Sequence, residues 1–252
     1  MHAMAIGAHA FDAEVMSGGL LAKLTSHGHC ATLVHMTLGE RGDPSKKPET
    51  YARQLERELQ EAAHILGSQA RWMGYPAGQV PISDEVALSL CAAIRELKPD
   101  LVITHWRGSW HPRHVATHYN VVRAARLAAD ESVECGHPAH RVRELYFGEN
   151  CEDLDGFRPS IYFDIRQVYD LWLDALACYE LFRRSVGRHG GSRDASLGIP
   201  YSSYYRSMAR VRGLESGFVY AQAFMPAKRA VGGLPEFTGD SYTFEATSLI
   251  LK

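Results

Sequence analysis

The chain has 252 residues, 46% of them hydrophobic and 22% charged, with a formal net charge of −2 and a pI near 6.7. That balance fits a globular domain with a sizeable core and excludes the strong charge asymmetry of nucleic-acid or anionic-membrane binders. Five cysteines without a CxxC pair read as reduced thiols, and no leader or membrane-length apolar run is visible, so a cytoplasmic protein is expected.

In chain order, "AMAIGAHA" (residues 3–10) is a short apolar run of strand length. The following helix carries Val15, Met16, Leu20, Leu21 and Leu24 at helical spacing and stops at Gly28. "HCATLVHMT" reads as a second strand. The next helix presents Leu55, Leu59, Ala62, Ala63 and Leu66 on one face, between Pro48 and Gly67. A short strand, "ARWMGY", precedes a helix that begins at Asp84 and is closed by Pro99. "DLVITHW" is the fourth strand, and "HVATHYNVVRAARLAA" the helix after it.

Strands alternating with amphipathic helices predict an α/β fold, Rossmann-like, with a mostly parallel sheet and helices on both faces. The pattern loosens after about residue 140. Two short strands, "RELYFG" and "SIYFDI", precede a helix expected from Asp170 to Ser185. The glycine-rich "VGRHGGSRDASLG" then leads to "YSSYYRSMARVRG", where Tyr201, Tyr204 and Tyr205 read as a packed aromatic helix face. Residues 1–252 are expected to form one domain, with 1–140 as its core and 141–252 completing and capping it.

Open parallel sheets bind ligands beyond the carboxyl ends of their strands. His9 and Asp12 leave strand one, Glu40 and Arg41 leave strand two, and "HWRGSWHPRH" leaves strand four with His105, His111 and His114. A catalytic zinc commonly takes three His or carboxylate ligands and keeps a position open for water. Isolated HxxD and HxxH spacings are common, and a lone strand-end histidine is ordinarily a hydrogen-bonded core residue. Two such pairs at one sheet edge favour a metal site. His105 reads as structural or supporting. Trp106 and Trp110 flank the HPRH loop as core or as a stacking wall. Glu14 suits a helix's first turn as well as a place behind the metal. His27, His29 and His35 are expected to lie away from the rim.

With "AHAFDAE" (Ala8–Glu14), "HPRH" (His111–His114), "GGLLAKLTSHGH", "TLGERG", "KPDLVITH" and "GFVYAQAF" in order, the chain resembles the PIG-L, or LmbE-like, family of metal-dependent N-deacetylases. The resemblance implies that His9, Asp12 and His114 ligate one divalent metal, usually zinc with iron the other candidate. It implies that His111 stabilises the oxyanion or protonates the leaving amine. Glu40, Arg41 and Trp110 are then expected to contact a small N-acyl substrate, with no nucleic acid or membrane involved. A homo-oligomer, a trimer or hexamer, is expected on the resemblance alone. The close pair Gly18–Gly19 fits the family's helix packing and forms no GxGxxG dinucleotide loop.

The chain departs from the family where the chemistry matters. Phe11 stands at the position of the aspartate base, and phenylalanine accepts no proton. Arg113 replaces the acid between the two histidines, Gln222 replaces a frequent glutamate, and Ala10 a proline. Two readings follow: an amide hydrolase with another source of water activation, His111, Asp12, Glu14 or Glu40 assisting, or a metal-binding homologue with a binding or accessory role.

Overall fold

The computed structural model describes residues 1–153, 155–183, 185–186, 199–229 and 235–236. Most of the glycine-rich segment expected as a loop lies outside the described residues. The first half runs β1 (His2–Gly7), α1 (Asp12–Ser26), β2 (Cys30–His35), α2 (Pro48–Ile65), β3 (Gln69–Trp72), α3 (Asp84–Leu97), β4 (Leu101–His105) and α4 (Pro112–Ala129). The second half adds β5 (Glu144–Gly148), β6 (Ile161–Asp164), α5 (Tyr169–Ala177), the short β7 (Ser185–Val186) and β8 (Ile199–Pro200), α6 (Tyr201–Ser216) and β9 (Ala221–Pro226). A last short pair is β10 (Lys228–Arg229) and β11 (Pro235–Glu236).

The central sheet has seven strands in the order β3-β2-β1-β4-β5-β9-β6. Its first five strands are parallel, as the alternating pattern predicts. β9 enters antiparallel between β5 and β6. Strand order reverses between β1 and β4, which makes their carboxyl ends the switch point where this architecture opens a crevice.

Alternation along the strands divides the core in two. Ala3 and Ala5 of β1, with Leu33 and Ile103, pack under α1, α2, α5 and α6. Met4 and Ile6, with Val34 and Val102, pack under α3 and α4. Helix α1 is buried on nearly every side. A Cβ on its Gly18 would come within 2.8 Å of the Trp172 ring, so the small residue is what lets α5 approach. Gln222 of β9 reaches into α1: its amide donates to Val15 O at 3.0 Å and its oxygen accepts from Leu20 N–H at 2.8 Å. The side chain is a buried tie between β9 and α1, and a glutamate there would lack the donor for Val15.

One helix is shorter than the sequence predicts. α5 ends at Ala177, and a single tight turn, Glu180–Arg183, follows instead of helix to Ser185. Tyr179 causes the break: it is fully buried and its hydroxyl donates to Glu14 Oε1 at 2.5 Å, an interaction a continuous helix gives no sign of.

Candidate metal centre

The turn after β1 is short and strained. Phe11 caps α1 at φ 87°, a left-handed conformation that bulky residues rarely hold. The kink lets Asp12 face back toward His9, whose N–H donates to Asp12 Oδ2 at 2.8 Å. The same oxygen lies 3.1 Å from His9 Nδ1 and 3.3 Å from His114 Nε2. His114 arrives on the first turn of α4, which His111 caps by accepting from Arg113 N–H. Gly39, at φ +79°, would place a Cβ 3.3 Å from His9 Cβ, so the loop after β2 passes against His9 only as glycine.

Ligand atoms of His9, His111 and His114 lie within 4.8 Å of one another, as do those of Asp12, His105 and His114. Hydrogen bonding sorts these candidates. His105 Nε2 accepts from Ala8 N–H at 2.9 Å, which occupies the lone pair on its site-facing nitrogen. His111 Nδ1 is engaged as the helix cap, so its neutral ring carries the proton on Nε2. His9, Asp12 and His114 remain. Tetrahedral coordination at zinc distances puts ligand atoms about 3.3 Å apart, close to the separations around Asp12 Oδ2.

Charge is arranged for a cation. Burial opposes ionisation of Asp12, but His114, His105 and His9 outweigh it and hold the carboxyl well below its usual range. Burial pushes His114 and His105 down from the ordinary imidazole value. His111 falls to about 4 through burial and its histidine neighbours. Neutral imidazoles at pH 7 are what metal ligation requires.

Among the supporting groups, Glu152 is one that the sequence gives no sign of. Glu152 Oε2 lies 3.0 Å from His114 Nδ1, on the side of the ring away from Asp12. Its loop is laced to the loop after β4: Trp110 N–H donates to Glu152 O, and Trp106 Nε1 donates to Asp155 O. His35, expected away from the rim, instead stands behind it. Its Nδ1 lies 3.0 Å from His9 O and its Nε2 3.2 Å from Glu14 Oε1. Burial alone would lower the His35 pKa, but Glu14 raises it. Glu14 is therefore a fully buried anchor, shared by His35 and Tyr179, that acts on the site through the His9 main chain.

The remaining expected rim residues divide. Trp110 is 54% exposed with its ring 5.7 Å from His111, so it stands at the mouth. Trp106 is buried. Arg41 is exposed, whereas Glu40 Oε1 accepts from Ala77 N–H at 2.8 Å and ties down a neighbouring loop. Arg113 extends toward Val80 O at 3.4 Å. Phe11 is buried, with Tyr179, Phe182, Tyr201 and Tyr205 at ring distances of 5.3–6.2 Å. Tyr205 is buried in that packed face as predicted, while Tyr201 and Tyr204 are half-buried.

The fold and this cluster define a Rossmann-like α/β protein with histidine and carboxylate donors at its switch point. Residues 4–125, nearly half of the chain, match the family model "PIG-L: GlcNAc-PI de-N-acetylase". A 1D-myo-inositol 2-acetamido-2-deoxy-alpha-D-glucopyranoside deacetylase of Thermobispora bispora is 30% identical over 171 residues, covering 56% of this chain and 56% of its own. The chain thus spans little more than half the length of that relative. The 4-oxalmesaconate hydratase of Pseudomonas putida is 24% identical over 238 residues, 86% of this chain and 89% of its own. Among solved structures, the conserved protein TT1542 of Thermus thermophilus is 27% identical with a TM-score of 0.73, covering 89% of this chain and 93% of its own. No described helix is long and apolar enough to cross a membrane.

Proposed function

We propose that the protein is a metal-dependent amide hydrolase of the N-deacetylase kind, acting on an N-acyl sugar or a related small N-acyl compound. The observation that carries this reading is the Asp12 carboxylate set between His9 and His114 at the β1/β4 switch point. In this reading His9, Asp12 and His114 hold one divalent ion, zinc or iron. A bound ion there supplies Lewis-acid polarisation of the carbonyl and a water of near-neutral pKa, which stands in for the carboxylate base that Phe11 cannot provide.

The chain's own groups do the rest. His111 is neutral at pH 7 and keeps its proton on Nε2, so it offers a hydrogen bond to a developing oxyanion. Ser109 Oγ, 3.3 Å from His114 Nδ1, helps orient that ring, and the Glu152 carboxylate, 3.0 Å from the same nitrogen, adds negative charge behind it. Trp110 walls the mouth and Arg41 reaches from the neighbouring loop, both in position for substrate. Glu40 acts indirectly, through the loop it ties to Ala77. The whole chain forms one domain, works in the cytoplasm and assembles as a homo-oligomer.

A second reading, hydration of a conjugated carbon–carbon double bond in a small oxo-acid, is favoured by one pairing of facts. The site lacks an aspartate at position 11, and the hydratase matches this chain nearly end to end while the deacetylase matches little more than half. Metal-reconstituted protein offered N-acetylglucosaminyl compounds and unsaturated oxo-dicarboxylates separates the two. Release of acetate establishes the first reading; water addition without acetate release replaces it with the second. Metal binding with neither reaction leaves the accessory role.

A further inference from the structure

Away from this centre, α3 and the loop after α4 bring two thiols together. Cys91 Sγ and Cys135 Sγ lie 3.5 Å apart, across 44 residues of chain. Cys91 is fully buried on α3, and Cys135 is half-exposed beside Gly136. The contact is held in place by Arg95, one turn further along α3 and itself 2% exposed. Its guanidinium donates to five carbonyls of the facing segment: Leu127, Ala128, Asp130, Val133 and His137. Three of these follow the end of α4 and bracket Cys135. A buried cation committed to one loop's carbonyls fixes that loop's position, so the thiol pair is a built feature of the fold.

We propose that Cys91 and Cys135 form a dithiol that a small-molecule disulfide converts to an intramolecular disulfide. Cys135 faces solvent and attacks as thiolate, breaking the S–S bond of the reagent and releasing one reagent thiol. Cys91 then attacks the mixed disulfide at the Cys135 sulfur, and the second reagent thiol leaves. The two protein thiols are oxidised, the two reagent sulfurs are reduced, and each departing thiolate takes up one of the protons the cysteines give up. Burial and the contact with Cys135 push the Cys91 thiol up to about 12, which sets the order of events: Cys135 enters and Cys91 resolves, the second step being the slow one. Cys30, Cys151 and Cys178 are free thiols that lie in other parts of the fold, so the pairing is specific.

The test treats native full-length protein with oxidised glutathione under non-denaturing conditions, followed by mass mapping and thermal unfolding. The expected product is lighter by two hydrogens, carries no glutathione, and yields one cross-linked peptide pair containing Cys91 and Cys135. Closing a loop of that length raises Tm by about 5–10 °C, and dithiothreitol reverses both changes. Cys91→Ser stops the reaction at a stable glutathione adduct on Cys135, and Cys135→Ser leaves Cys91 unmodified. A stable adduct at Cys135 in the unaltered protein, a cross-link through Cys30, or a cross-link that forms only after denaturation overturns the proposal.

Discussion

The two halves of the molecule contribute to the site in different ways. Residues up to the end of α4 supply every candidate ligand, from the loops after β1 and β4. Behind them stand His35 and Glu14 of the same half, and residues beyond 140 add long-range support: Glu152 at His114, Tyr179 at Glu14, Trp172 against Gly18, and Gln222 inside α1. The first set is chemistry placed by a topology common to many proteins. The second is long-range packing particular to this chain. A residue of the first kind should change metal binding or turnover with the fold intact, and a residue of the second should act through stability or through a ligand's orientation.

The largest effect expected from a single side chain that leaves the metal in place is at His111. His111→Asn keeps an acceptor for the α4 cap but loses the Nε2–H aimed at the oxyanion, so turnover should fall by about 10²–10³ while metal content and Tm hold. Undiminished turnover in that variant removes His111 from the reaction.

Phe11 sharpens the comparison, because it sits in the ligand turn yet packs wholly against the second half. A carboxylate placed there by Phe11→Asp is stranded among four aromatic rings, and the change removes their central partner. The expected cost is about 3–5 kcal/mol in denaturant unfolding, even though aspartate tolerates the left-handed backbone better. A stable Phe11→Asp protein with raised amide hydrolysis contradicts the packing account and shows that the position still addresses the reaction.

These positions also show what was legible in the sequence. The parallel core and its strand-end donors follow from local periodicity and spacing, because each strand and its loop are contiguous in the chain. The length of α5 is misread because its end is set by Tyr179 meeting Glu14, 165 residues away. Glu152 gives no local signal either: it lies in an irregular loop, and only the lacing of that loop to Trp106 and Trp110 brings it to His114. His35 looks like an ordinary strand residue until β2 is laid beside β1 and its ring meets the His9 carbonyl.

A smaller effect is expected at Glu152. Glu152→Gln keeps the shape and removes the charge behind His114, so metal affinity should weaken by about 10- to 100-fold in a chelator competition, with Tm of the metal-free protein little changed. Equal affinities would reduce the carboxylate to a loop contact.

A further effect, confined to acid pH, concerns stability. His118, whose Nδ1 donates to His105 O, is pushed down to about 4 by burial. The unfolded chain binds a proton near pH 6.5 and the folded state near 4, so the stability this group contributes is complete above 6.5 and is lost as pH falls toward 4. Its share is at most about 1.4 kcal/mol per pH unit in that window. His118→Gln in metal-free protein should flatten the fall of Tm between pH 6.5 and 4.5, and an unchanged slope would place the acid sensitivity elsewhere.

The central claim is that His9, Asp12 and His114 together hold one divalent ion, and metal stoichiometry by elemental mass spectrometry tests it most directly. Protein reconstituted with zinc or iron(II) and dialysed should carry about one ion per chain. His9→Ala, Asp12→Ala and His114→Ala should each carry close to none. His105→Gln, which keeps an acceptor for Ala8 N–H, should carry as much as the parent. Full occupancy in the Asp12→Ala or His114→Ala protein, or loss of the ion with His105→Gln in a folded chain, contradicts the account.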